Sequence, residues 1–92
     1  MIQIKEFLLD KTITGVQTLY MPVGTQLFTV VDTQGGLFII AAVDIAETST
    51  QLRSFKICDN RGWFTEQSVK YVGSFETDVG TQHVVELIEE NV

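Results

Sequence analysis

The sequence is short of most residues that carry chemistry. Among 92 residues there is one cysteine, one histidine, one tryptophan and one proline. A lone cysteine closes no internal disulfide and suits a reducing compartment. Cys58 and His83 are too few for a zinc-binding set, and no metal or other cofactor is expected. A calcium loop is absent too, because "DNRGWFTEQ" (59–67) lacks the alternating acids and the correctly spaced terminal glutamate. Neither paired carboxylates nor a base spaced to activate Cys58 can be picked out, so the chain reads as a binding protein and not as an enzyme. Long apolar runs are also missing: the longest is Leu37–Val43, far below the ~18 residues of a membrane-spanning helix. The opening "MIQIKEFLLD" carries acids early and has no small-residue cleavage site, which predicts a cytosolic protein with no membrane partner.

Positive charge is scarce as well. Six basic residues face twelve acidic ones, a net charge of −6, and duplex nucleic acid demands the opposite balance. The distribution is uneven. Arg53, Lys56, Arg61 and Lys70 lie between residues 52 and 73 with only Asp59 and Glu66, so that stretch is positive while the remainder is strongly acidic. A local basic island can hold a small anion in an acidic protein.

What the chain does have is alternation. The runs 2–9, 16–21, 26–31, 37–45, 52–58, 68–76 and 83–88 are rich in β-branched and aromatic residues and broken by "PVG", "DTQGG", "AETSTQ" and "TDVGTQ". These predict a single all-β domain over residues 1–92. The expected form is an antiparallel meander of six or seven strands, closed as a small barrel or folded as a two-layer sandwich. "LFIIAAVDI" (37–45) reads as a central strand buried on both faces. The spacing of Val84, Leu87 and Ile88 also permits a short C-terminal helix.

The order of these segments matches a known pattern. "MPVGTQLFTV", an apolar strand ending in "VD", Arg53-x-Phe55-x-Ile57, "KYVGSF" (70–75) and "HVVEL" (83–87) follow one another. The chain thereby resembles a family of short bacteriophage-encoded proteins of unknown function, from about Ile4 to Ile88. Its members share a Pro-x-Gly turn, an Arg-x-Phe strand, a Tyr-x-Gly-Ser/Thr segment and a closing His-Val-x-Glu strand. The resemblance implies a phage setting, hence a host cytosol, and a small β fold. It implies no catalytic residues. Where such proteins run a short turn, this chain carries "ICDNRGWFTEQ" (57–67), the stretch expected to hold any individual specificity.

Several residues are candidates for recognition. Alternation puts Arg53 on one face with Phe55 and Ile57, where it is either paired internally with Asp44 or Glu86 or free to grip a phosphate or carboxylate. Lys56 and Lys70 are expected on strands that pair through the 58–68 connection. Arg61, Trp63, Phe64 and Tyr71 supply charge and stacking surface. Together these seven form the candidate site for a small anionic, nucleotide-like ligand. Phages use small oligomeric β proteins to sequester host defence messengers, so sequestration by a homo-oligomer is the leading expectation. The alternatives are an inhibitor or adaptor that engages a host protein through Glu76, Asp78, Glu86, Glu89 and Glu90, mimicking nucleic-acid charge, and a virion or assembly component. His83 is expected to bond backbone at the edge of the core, and Cys58 to be a small buried side chain.

Overall fold

A computed structural model describes residues 1–62 and 68–88. The described residues form seven strands: β1 (Ile2–Leu9), β2 (Gln17–Pro22), β3 (Gln26–Thr33), β4 (Gly36–Asp44), β5 (Thr50–Cys58), β6 (Ser68–Thr77) and β7 (Gly80–Ile88). All pairings are antiparallel. One sheet has the order β1-β4-β3 and the other β2-β5-β7-β6. The fold is all-β and sandwich-like, and it is not a closed barrel. Residues 83–88 continue β7 as strand, so no helix forms there.

Two hairpins use the same turn chemistry. In 33–36 and in 77–80 a threonine hydroxyl accepts the backbone N–H two residues on and donates to the glycine carbonyl three residues on. Gly36 and Gly80 take φ of 135° and 122°, a region that side chains avoid. The Thr-x-x-Gly spacing of "TQGG" and "TDVG" is the sequence cause of both turns.

The chain is not a simple meander. β1 and β3 both flank β4, β2 leaves its neighbours to pair with β5, and β7 is inserted between β5 and β6. β5 and β6 therefore do not pair with each other. Both run antiparallel to β7 and so parallel to each other: Cys58 stands opposite His83 and Ser68 opposite Ile88, at different ends of β7, and parallel strands are not joined by a tight turn.

The core lies between the sheets. Phe55, Met21, Leu37, Ile39, Val43 and Val84 are fully buried. Four consecutive residues of β7, Val84–Leu87, are buried, as befits a central strand covered on both faces. The edges of the two sheets meet where β3 lies against β6, and each strand carries a bulge, at Phe28 and at Val72. Gly73 makes the approach possible: a Cβ there would sit 2.9 Å from the Val30 nitrogen. No helix among the described residues is long and apolar enough to cross a membrane.

Candidate functional site

Glu86 stands directly opposite Phe55 in the β5–β7 ladder, and Lys70 stands opposite Glu86 in the β6–β7 ladder. Residues facing each other across a ladder share a face, and Arg53 is two positions from Phe55, so it reaches Glu86 diagonally. The guanidinium grips the carboxylate with two bonds, Nε to Oε2 at 2.5 Å and Nη2 to Oε1 at 2.7 Å. A third bond runs from Nη1 to the Thr25 carbonyl at 2.6 Å. Thr25 is fixed in turn by the 22–25 turn, where its N–H and hydroxyl both donate to the Pro22 carbonyl. The pair is mostly removed from water, with side-chain exposures of 13% for Arg53 and 8% for Glu86. Of the two internal partners weighed for Arg53, Glu86 is the one used. Asp44 instead accepts the Ala46 N–H and meets the amino terminus. The Ala46 bond and then that charge hold its carboxyl below the usual range.

This ion pair forms the floor of an open concavity of about 740 Å³. Lys70, Gln51, Gln26 and Ser54 supply its polar rim, and Leu52 and Ile88 are among its apolar walls. Two cations against one carboxylate leave it net positive within an acidic chain. A guanidinium has five N–H donors. Three are committed to Glu86 and Thr25, which leaves one on each terminal nitrogen in a fixed orientation.

The other end of β7 is built differently. Cys58 faces His83 across the β5–β7 ladder. Asp59–Gly62 forms a tight turn, closed by Gly62 N–H to the Asp59 carbonyl and by Arg61 N–H to the Asp59 carboxylate. The turn presents Asn60 Oδ1 to His83 Nε2 at 2.5 Å, while Tyr71 Oη lies 2.7 Å from Nδ1. Nδ1 accepts the Tyr71 hydroxyl proton when Nε2 carries the ring proton and donates it to Asn60, so the neutral imidazole satisfies both contacts. The Tyr71 and His83 rings lie 5.6 Å apart and tilted by 55°. Tyr71, His83, Cys58, Val69 and Val85 line a shallow cleft of about 370 Å³. Both imidazole nitrogens are engaged, and burial pushes the Cys58 thiol upward, further from the reactive thiolate. The partners of His83 are thus side chains, not the backbone groups expected.

Of the seven residues grouped by sequence, the five that are described fall in separate places. Arg53 and Lys70 share the concavity. Lys56 and Tyr71 both face Val85 on the opposite side of the sheet. Lys56 and Lys70 are therefore separated by the sheet itself. Arg61 is exposed on the 59–62 turn. Trp63 and Phe64 lie outside the described residues, as do Glu89 and Glu90. Of the other acids, Glu76 and Asp78 are exposed near the 77–80 turn, where Glu76 accepts the Thr81 hydroxyl. Glu86 is buried with Arg53 and contributes nothing to an exposed acidic face.

Sequence reasoning weighed His83 but missed its link to Tyr71 and Asn60. The signal was the bulge at Val72: beyond it Tyr71 faces Val85, whereas unbroken pairing would set it opposite Glu86 on the other side of the sheet. Among the described residues, no group of three or more His, Cys, Asp and Glu side chains could hold a metal ion. No family model matches the chain, no curated protein matches it, and no solved structure matches it.

Proposed function

We propose that this chain is a small non-catalytic binding protein that captures an anionic ligand in the concavity over the Arg53–Glu86 pair. The observation that carries the reading is the guanidinium held on three sides with two donors to spare, beside a Lys70 that makes no ion pair among the described residues. A carboxylate or phosphate fits such a fork because two acceptor oxygens can meet two fixed N–H groups. Lys70 adds a mobile charge at the rim, and Leu52 and Ile88 give a non-polar part of the ligand something to lie against.

The biological setting rests on the resemblance to short phage proteins. In that setting the protein acts in the host cytosol and takes a nucleotide-like defence signal out of circulation. Tyr71 lies on the other face of the sheet, so the described concavity offers charge recognition and apolar walls without an aromatic platform. The acidic-face alternative has less to support it, since Glu86 is internal and only Glu76 and Asp78 of that set are described at the surface.

Thermal denaturation with inorganic phosphate and a panel of mono-, di- and cyclic nucleotides tests the proposal. At least one is expected to raise the melting temperature of the wild-type chain, and Lys70→Ala should remove most of that rise. No shift with any of them at millimolar concentration would count against the reading.

A further inference from the structure

The charges that line the concavity can be counted. Among the described residues around it, Arg53 and Lys70 are cationic, Glu86 is anionic and the rest are neutral. The sum is one net positive charge. The three sit on adjacent strands, β5, β7 and β6, with Glu86 on the middle one. Both Glu86 oxygens are held by the guanidinium, so the carboxylate stays in the floor and cannot turn away from an incoming anion.

A ligand entering from water meets two opposed trends. Its attraction to the site grows in proportion to its charge, whereas the cost of removing it from water grows as the square of that charge. A strongly cationic pocket therefore favours multiply charged ligands. A pocket of net charge +1, with a fixed carboxylate already in its floor, favours a single charge. The rest of the lining agrees. Gln26, Gln51 and Ser54 offer neutral donors and acceptors, which suit amides, hydroxyls or ring nitrogens and not further phosphates. Leu52, Leu87 and Ile88 add apolar wall for an uncharged body.

We infer that the concavity selects a singly charged anion with two acceptor oxygens on an uncharged body, a phosphodiester or a carboxylate, and that Glu86 discriminates against phosphomonoester dianions and polyphosphates. Glu86 is then a specificity-determining residue as well as the anchor of Arg53. The selectivity presupposes the anion capture proposed above and narrows it.

Titration calorimetry on the full chain at fixed ionic strength tests this with four probes. They are a 3′,5′-cyclic mononucleotide, the 5′-monophosphate and 5′-triphosphate of the same nucleoside, and benzoate. At pH 7.5 the monophosphate is mostly a dianion, because its second ionisation lies near pH ~6, whereas the cyclic diester carries one charge. The cyclic nucleotide or benzoate is expected to bind most tightly, and whichever leads distinguishes phosphodiester from carboxylate. Lowering the pH to 5.5 should raise the monophosphate affinity about threefold or more and leave the cyclic nucleotide unchanged. Gln26→Lys, at an exposed position on the rim, raises the local charge to +2. At pH 7.5 it should strengthen the monophosphate more than the cyclic nucleotide. A monophosphate or triphosphate that outbinds both singly charged probes at pH 7.5 would overturn the selectivity and leave anion capture standing. So would a monophosphate affinity that does not rise at pH 5.5, or equal gains for both nucleotides in Gln26→Lys. No binding by any of the four at millimolar concentration would overturn capture and selectivity together.

Discussion

The two ends of β7 treat polar side chains in opposite ways. At one end Glu86 is buried and held by Arg53, and the guanidinium is tied also to the Thr25 carbonyl. At the other end His83 is linked to Tyr71 and Asn60 where water can reach them. The buried pair cannot exchange its partner for solvent, so losing either member strands a charge in a poorly solvated place. The outer network can substitute water for any of its bonds. The first arrangement therefore fixes geometry strongly, which a preformed anion site requires, and the second tolerates change.

The largest effect expected follows from breaking the buried end. Arg53→Ala leaves Glu86 without its counter-charge and should cost about 3–5 kcal/mol, seen in urea or thermal unfolding. The paired change Arg53→Met with Glu86→Leu should recover most of that stability while abolishing the proposed anion capture. Between the two ends, opposite Val84, Gly73→Ala would drive a methyl group into the β3 backbone. A cost of about 1–3 kcal/mol is expected there by the same measurement.

At the outer end, His83→Ala should cost about 1 kcal/mol or less, because the released groups rehydrate. A loss comparable to that of Arg53→Ala would erase the contrast between the two ends. The smallest effect concerns Asp10, on the turn that follows β1. The Thr12 hydroxyl and then the Thr12 N–H hold its carboxyl below the ordinary range. A carboxylate with a lowered folded value lends stability that is fully present above its unfolded value and is lost as pH falls through the folded one. Asp10→Asn should therefore lower stability slightly near neutral pH and make no difference well below pH ~4. Unfolding midpoints at the two pH values measure this.

Much of the architecture was legible because it is local. Alternation identified the seven strands, and the two Thr-x-x-Gly turns sit where the glycines predicted them. Placing Arg53 with Phe55 and Ile57 was enough to foresee an internal acid partner, and Glu86 was one of two named. The strand order was not legible. Insertion of β7 between β5 and β6, and β1 against β4, depend on packing between segments distant in sequence, for which alternation carries no signal. The bulge at Val72 had the sharpest consequence. It exchanges the faces on which Lys70 and Tyr71 lie, and so moves one cation to the Arg53 end while moving the tyrosine to the His83 side. The described strand members of the seven-residue group are divided between the two faces of the sheet at that point.

The central claim is that recognition occurs over Arg53 and Glu86 and not around the 59–62 turn. Amide chemical shifts of the isotopically labelled chain, followed during titration with whichever phosphate compound stabilises it most, test this directly. Shifts should appear at Thr25, Gln51–Ser54, Lys70 and Glu86, with Asn60, Gly62 and His83 unmoved. Changes confined to Asn60, Gly62, Tyr71 and His83, with the Arg53 end silent, would contradict the account.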